Sequence, residues 1–300
     1  MAQDCSDVPE EYARLIQLFQ HTNQAFPFEG NRIAVYTEGY TKLQSLLREL
    51  QKAKQHIHIE YYIFEDDAIG RLVRDVLIEK ASQGVEVRVI YDDVGCWHVP
   101  NRFFEEMRNA GIEVRSFLKV RFPLFTSRVN YRNHRKIVVI DGRIGFVGGM
   151  NLAERYMRGF SWGIWRDTHI LIEGKAVHGL QTAFLLDWYF VDRTLITASR
   201  YFPKIESCGS SLVQVVTSEP IGPWKEIMQG LTMAINGAKK YFYMQTPYFL
   251  PTEQVLAAMQ TAALAGVDVR LMLPERADNR ITHLGSHSYL ADVMQAGVKV

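Results

Sequence analysis

The sequence is poor in cysteine, in long apolar runs and in excess charge. Its three cysteines are Cys5, Cys96 and Cys208, and their spacing suits neither a disulfide framework nor a metal site. No apolar run approaches the roughly 18–20 residues of a transmembrane helix, and the N-terminus lacks a signal-peptide pattern. The formal net charge is +1, so no overall field recruits nucleic acid or anionic lipid, and anion binding must come from local patches.

Apolar residues make up 47% of the chain, and their periodicity alternates between helix and strand. Leu43, Leu46, Leu47 and Leu50 have helical spacing, whereas Ile57, Ile59, Tyr61 and Ile63 alternate as in a strand. A second helical stripe and a buried strand, Val85 to Tyr91, follow. This order predicts an α/β sandwich in which helices cover a mixed sheet. Before it, the sequence predicts a helix around Tyr12 to Phe19 and a turn-rich connector from Phe26 to Gly30.

Three segments recur in the same order at a nearly constant offset. They pair Ala53–Glu60 with Ala238–Gln245, Gln83–Val89 with Ala265–Leu271, and Ala110–Val114 with Ala296–Val300. The repeat predicts two copies of one α/β unit. We therefore expect an N-terminal segment at 1–32, a first repeat at 33–207 and a second repeat at 208–300.

The most informative segment runs from Asn133 to Asn151. His134 and Lys136 are two residues apart, so on an extended chain they point to the same face. Four apolar β-formers follow, then Asp141, a glycine turn, a second apolar run and Gly148-Gly149-Met150-Asn151. This pattern predicts a β-hairpin that carries a histidine, a lysine and a carboxylate.

These residue types suit chemistry on a phosphate group. His134 can act as a nucleophile or proton carrier, and Lys136 supplies positive charge for phosphate oxygens without a metal. Gly148 and Gly149 permit close backbone approach, and Asn151 precedes a short helical pattern whose N–H groups would bind anions. His-x-Lys alone is also compatible with an ordinary hairpin, so the interpretation depends on the whole pattern.

The pattern His-x-Lys-x4-Asp-x6-Gly-Gly-x-Asn resembles the HKD signature of the phospholipase D superfamily. Three further segments are similar to bacterial cardiolipin synthases: Arg132–Lys136, Trp165–His169, and His58–Phe64 with Asp66-Asp67. The resemblance extends from about Asn31 to the end of the chain. It implies a phospholipase D-like α/β sandwich of two pseudo-symmetric repeats.

The resemblance also implies roles for single residues. His134 would be the nucleophile and form a phosphohistidine, while Lys136 and Asn151 would hold the phosphoryl oxygens. Asp167 would orient the imidazole of His134. Asp141 would either orient the partner histidine or brace the hairpin. Glu60 and Tyr131 would face the substrate from neighbouring strand ends or only pack, with no cofactor or metal needed; Asp92-Asp93 is expected to be a solvated strand end.

The reaction implied is transfer of a phosphatidyl group between two phosphatidylglycerol molecules. Loops 117–128 and 155–166 combine aromatic and cationic residues, which suits an anionic membrane surface, although they could equally fold back on the core. We expect a location at the bacterial cytoplasmic membrane, by association or through anchoring segments absent from this chain. No nucleic-acid partner is expected.

In the superfamily, two HKD motifs meet at one site, and the second histidine serves as acid and base. This chain has no second His-x-Lys-x4-Asp, since His283 and His287 lack the required spacing. We expect a chain truncated before its second motif, with little activity by itself unless a homodimer supplies the missing groups. The alternatives are a phospholipase D or phosphatidylserine synthase, an HKD nuclease, and a catalytically silent lipid-binding fragment.

Overall fold

The structure is a computed structural model that describes residues 8, 10–119, 132–161, 163–219, 222–276 and 278–300. The chain forms two compact units. We call Pro27–Val215 the central unit, and Met1–Phe26 together with Val216–Val300 the terminal unit. The domain boundaries expected from the repeat remain predictions.

The central unit contains an eight-stranded mixed sheet. Its strands are β1 (Pro27–Tyr36), β2 (His56–Tyr61), β3 (Glu86–Asp92), β4 (Glu113–Phe117), β5 (Lys136–Ile140), β6 (Ile144–Gly148), β7 (His169–Glu173) and β8 (Ser211–Gln214). Their order is β4-β3-β2-β5-β6-β7-β1-β8. The pairs β2–β3 and β3–β4 are parallel, and the other neighbours are antiparallel.

Helices cover both faces of this sheet, which confirms the predicted α/β sandwich. One face packs against α2 (Gly39–Lys52), α3 (Ala68–Ser82) and α4 (Asn101–Asn109), and the other against α6 (Val177–Asp192). The predicted leucine stripe is core, since Leu46 and Leu50 of α2 are completely buried. Helix α3 begins where the Asp67 carboxylate accepts the amides of Ile69 and Gly70.

The predicted hairpin is formed by β5 and β6. The two strands pair antiparallel, with Ile137 opposite Val147. Asp141 and Gly142 make the turn with φ of 53° and 64°, in the left-handed region that a tight hairpin requires. The hairpin places the segment before β5 at one edge of the sheet, beside the end of β2.

The expected connector from Phe26 to Gly30 is wrong, because strand β1 begins at Pro27. Pro27 stands at the first position of the strand, where a missing N–H is tolerated. Gly30 has a φ of 73°, and the register to β8 shifts between Phe28 and Asn31. The turn residues therefore mark an irregularity within a strand.

The terminal unit repeats the helix-strand alternation. Its elements are α1 (Glu10–Asn23), α7 (Glu226–Gly237), β9 (Tyr241–Gln245), α8 (Glu253–Leu264), β10 (Asp268–Met272), α9 (Arg280–Ser288) and α10 (Leu290–Gln295). Strands β9 and β10 are parallel, as β2 and β3 are. Gly84 and Gly266 follow corresponding helices with φ of 87° and 92°. The element order confirms the internal repeat.

We call α2 to β4 the first copy and the segment from α7 to Val300 the second copy. None of the helices in the described ranges is both long and apolar enough to cross a bilayer.

Candidate active site

His134 and Lys136 meet at the start of β5. Lys136 is the first residue of the strand and is buried, and its Nζ donates to the backbone oxygen of His134 at 2.6 Å. The same Nζ lies 5.2 Å from the centre of the Tyr62 ring, and that ring lies 4.6 Å from the imidazole of His134. The predicted histidine and lysine are thus brought together around Tyr62.

The surroundings keep the His134 imidazole neutral. Desolvation, and then the charge of Lys136, lower its pKa to about 4. A neutral imidazole at pH 7 has a free lone pair and can attack an electrophile. His134 is nevertheless exposed at the surface of the site, so a substrate can reach it.

Burial also lowers the pKa of Lys136, to about 7, although the charges of Asp167 and Asp92 partly oppose the shift. A lysine with this pKa is only partly charged at neutral pH. A bound anion would favour the charged form and raise the pKa. The site is therefore arranged so that a bound anion and a proton on Lys136 would stabilise one another.

Gly149 allows Asp167 to approach the hairpin. A Cβ at Gly149 would lie 2.1 Å from Oδ1 of Asp167, and the Gly149 amide donates to the Thr168 oxygen at 2.8 Å. Gly148 is similarly confined, because its Cβ would lie 2.5 Å from the Cα of His169. Both glycines thus permit close strand packing.

Asp167 lies within electrostatic reach of Lys136, and burial raises the pKa of its carboxyl group. Its Oδ1 accepts the amide of Thr168 at 2.6 Å. Among the described contacts, no hydrogen bond joins this carboxylate to the ring of His134. The orienting role of Asp167 therefore remains a prediction.

Asn151 is buried and its amide group is engaged on both sides. Its Oδ1 accepts the amide of Ile63 at 3.1 Å, and its Nδ2 donates to the Tyr156 hydroxyl at 2.6 Å. The expectation of a helix starting directly after Asn151 is wrong, because Leu152 forms a parallel bridge with Phe64. Helix α5 (Arg155–Arg158) spans only four residues. A contact of Asn151 with phosphoryl oxygens remains a prediction.

Asp141 lies at the opposite end of β5 from His134. Its carboxylate accepts the backbone amides of Lys54, Gln55 and His56 at 2.8, 2.8 and 2.9 Å. These bonds tie the hairpin turn to the start of β2. Of the two roles considered for Asp141, the contacts support bracing of the hairpin.

Glu60 and Asp92 are buried carboxyl groups beneath the start of β5. Glu60 accepts a hydrogen bond from the Asn133 side chain. The carboxylate of Asp92 accepts hydrogen bonds from the backbone N–H groups of Val94, Gly95 and Asn133. The expected solvated strand end at Asp92 is therefore wrong. The turn amides and the Asn133 amide compensate its burial. Tyr131 lies outside the described residues.

The sequence pattern indicated no role for Asn133 or Asp187. Asn133 immediately precedes the histidine, and its amide group contacts Glu60 and Asp187. Asp187 could have been found, because it lies seven residues after Leu180 on the apolar face of α6. A buried carboxylate in an apolar stripe needs a polar partner, which here is the partly buried Arg135.

No group of three metal-ligating side chains is placed to hold a metal ion within the described ranges. The groups that meet at His134 are a neutral imidazole, a buried amine and nearby carboxyl groups. Together with a mixed α/β sandwich, this arrangement defines the phospholipase D-like class of phosphodiester-processing sites.

The family described as "Cardiolipin synthase, PLD-like domain" matches residues 46–188 and 231–300, and the chain belongs to this family. It is 44% identical over 274 residues to a cardiolipin synthase of Geobacillus kaustophilus (strain HTA426), covering 90% of this chain and 55% of that protein. It is 41% identical over 290 residues to the major cardiolipin synthase ClsA of Bacillus subtilis (strain 168), covering 95% and 60%. The chain thus spans just over half the length of these relatives.

The fold is also that of a phosphatidylserine synthase from Haemophilus influenzae Rd KW20. The two structures align with a TM-score of 0.63 over 94% of this chain and 73% of the other. Their sequence identity is 14%, so this likeness concerns the fold alone.

Proposed function

We propose that the chain is the nucleophile-bearing part of a cardiolipin synthase. It would transfer a phosphatidyl group from one phosphatidylglycerol to a hydroxyl group of another and release glycerol. The neutral imidazole of His134, held against buried Lys136, carries this proposal because it provides a nucleophile and an anion-binding charge in one place. The cardiolipin synthases to which the chain is similar support the choice of acceptor.

In the first step, a ring nitrogen of His134 attacks phosphorus, and the bond from phosphorus to the glycerol oxygen breaks. The glycerol oxygen takes a proton from an acid as it leaves, and a phosphatidyl-histidine remains. In the second step, the hydroxyl oxygen of another phosphatidylglycerol attacks phosphorus and gives its proton to the same group, now a base. The phosphorus–nitrogen bond breaks and neutral His134 is restored.

Lys136 would stabilise the charge that develops on the phosphoryl oxygens in both steps. Asn151 would help to place these oxygens, and Asp167 would act on the imidazole. The proton-transferring group would come from a second motif, which further chain or a second copy of this chain would supply. A homodimer is the second of these arrangements.

The substrate would be reached at an anionic lipid surface of the bacterial cytoplasmic membrane. Next to Asn151, the segment from Arg155 to Arg166 presents exposed Ile164 and Phe160, and Arg158 beside them is exposed as well. Apolar and cationic groups side by side suit such a surface. Phe160 is joined to the site by ring contacts through Trp165 and Tyr156.

The test is incubation of the protein with phosphatidylglycerol vesicles, followed by mass spectrometry of lipids and protein, with His134→Ala as control. Cardiolipin, or a phosphatidyl adduct on His134, absent from the control would support the proposal. Phosphatidic acid alone would identify a hydrolase, and cleavage of DNA that the control lacks would identify a nuclease. Wild-type protein with neither product nor adduct would contradict the proposal.

A further inference from the structure

We propose that Asn133 is a positioning residue for His134, held in place by the carboxyl groups of Glu60, Asp92 and Asp187. The inference rests on the proposed role of His134 as nucleophile. It assigns Glu60 to the support of the site rather than to a substrate contact.

Both neighbours of His134 are fixed by buried groups. On one side, the backbone N–H of Asn133 donates to Oδ2 of Asp92 at 3.1 Å, and the side-chain Nδ2 of Asn133 donates to Glu60. On the other side, the Arg135 amide donates to Oδ1 of Asn133 at 3.0 Å. This bond closes a turn around His134. The histidine backbone therefore cannot shift without breaking a bond of Asn133.

The side chains of Asn133 and Arg135 are held by a shared partner, Asp187. The Arg135 guanidinium donates to Asp187, and Nδ2 of Asn133 also lies 3.4 Å from Oδ2 of Asp187. Asn133, Asp187, Glu60 and Asp92 are all buried. A buried network of this kind is rigid when its members are satisfied, so it can hold the adjacent exposed histidine in one place.

Every carboxyl group of the network can be hydrogen-bonded when Glu60 is a neutral acid. Burial, and then the charge of Asp187, raise the pKa of Glu60 well above its ordinary value. Within the described part of the chain, its buried Oε2 accepts no hydrogen bond. Asn133 Nδ2 contacts both Glu60 and Asp187, and two neighbouring carboxyl groups can hydrogen-bond to each other only if one carries a proton. A neutral Glu60 can accept from Asn133 and still offer its own proton to Asp187.

Glutamine can take the place of a neutral glutamic acid here. In Glu60→Gln, the side-chain oxygen would still accept from Asn133, and the N–H would donate to Asp187. Glu60→Leu is close in size but can make neither bond. The two substitutions therefore separate hydrogen bonding from packing at one position.

The test measures the carbethoxylation of His134 by diethyl pyrocarbonate against pH, with peptide mass spectrometry. This reagent needs no substrate and reacts with the neutral imidazole. The second readout is the initial release of 4-nitrophenolate from bis(4-nitrophenyl) phosphate, whose leaving group needs no acid. If wild-type protein released none, the titration of His134 would still test the positioning role separately from the proposed function.

We expect Asn133→Ala and Glu60→Leu to expose His134 further. The pH midpoint of its carbethoxylation should then move from about 4 towards the ordinary value of a histidine, by about one pH unit or more. Nitrophenolate release should fall about a hundredfold, because a small misplacement of the attacking atom is costly. Glu60→Gln should stay within about twofold of wild type in both measurements. If Asn133→Ala does not fold, the comparison of Glu60→Gln with Glu60→Leu still tests the proposal.

The matched control is Gln181→Ala. Gln181 is also a buried polar residue between α6 and β2, where it bonds His56 and His58 at 3.1 and 2.8 Å. The Gln181→Ala substitution should lower the melting temperature of the protein without moving the carbethoxylation midpoint of His134. An equal midpoint shift in Gln181→Ala, an unchanged midpoint in Asn133→Ala, or a Glu60→Gln protein that behaves like Glu60→Leu would each overturn the proposal.

Discussion

Strands β2 and β9 occupy the same place in the two copies of the repeat but differ in burial. All six residues of β2 are buried, whereas β9 alternates and exposes Tyr241 and Tyr243. Glu60 at the end of β2 is completely enclosed, and the corresponding Gln245 is exposed. The same helix-strand pattern thus supports a buried polar network in one copy and a half-exposed strand in the other.

The difference comes from elements that follow the first copy along the chain. Strand β5 pairs with β2, and α6 covers the face that carries His56, His58 and Glu60. The repeated helix-strand pattern forms part of the sheet and its helices in each copy. The β5–β6 hairpin and α6 add the residues that form the site at one edge of the sheet. Chemistry should therefore depend on residues of the central unit and tolerate changes at corresponding or superficially similar positions of the terminal unit.

The largest effect should come from removing His134 of the central unit. We expect His134→Ala to slow nitrophenolate release from bis(4-nitrophenyl) phosphate by more than about a thousandfold, because the attacking atom is lost. His287→Ala is the matched control, since His287 is exposed and, among the described residues, its ring contacts that of His283, at 4.2 Å. A comparable loss in His287→Ala would mean that the terminal unit carries chemistry after all.

Lysines of the two units should differ in the same way. We expect Lys136→Met to reduce nitrophenolate release by roughly 10²–10³-fold, because no charge remains at the phosphoryl oxygens. Lys299→Met should change the rate less than about twofold, since the exposed side chain of Lys299 forms a surface ion pair with Asp268 at 2.8 Å. Equal effects of the two substitutions would show that Lys136 acts only through general charge.

Acid should destabilise the central unit through its buried histidines. Burial lowers the pKa of His58 to about 4, so the unfolded chain binds more protons than the folded chain between about pH 6.5 and 4. Stability should fall as the pH decreases through this window, by roughly 3 kcal/mol for His58. The corresponding Tyr243 does not titrate there. Urea unfolding at pH 7 and pH 4 should show a smaller pH effect in His58→Gln than in wild type, and an unchanged effect would contradict this assignment.

The smallest effect is a pH limb set by Lys136. Nitrophenolate release should rise as His134 loses its proton near pH 4, and it should fall above about pH 7 as Lys136 loses its own. The fall should be about tenfold per pH unit. Lys136→Arg should remove the upper limb, because a guanidinium stays charged. An upper limb that persists in this variant would belong to another group.

Much of the fold could be predicted because its signals are local. The leucine stripe of α2, the hairpin around Asp141 and Gly142, and the repeat all follow from spacing within short segments. Strand β1 was missed because Pro27 and Gly30 indicate a turn, and only pairing with distant β7 and β8 makes this segment a strand.

The site was predictable in its reactive residues but not in their support. His134 and Lys136 stand in one motif, so the sequence alone shows them together. Glu60, Asp92 and Asp187 come from three separate elements, and only the folded sheet brings them beneath Asn133. The sequence contains no sign that the pKa of Glu60 is raised, because the shift depends on burial and on the charge of Asp187.

The most direct test of the account is to identify the residue that becomes covalently modified. The protein would be mixed with bis(4-nitrophenyl) phosphate, quenched within the first turnover and analysed by peptide mass spectrometry. We predict a 4-nitrophenyl phosphoryl group on His134, formed together with one equivalent of nitrophenolate. An adduct on His283, His287 or another residue, or nitrophenolate release without any adduct, would contradict the assignment of His134 as the nucleophile.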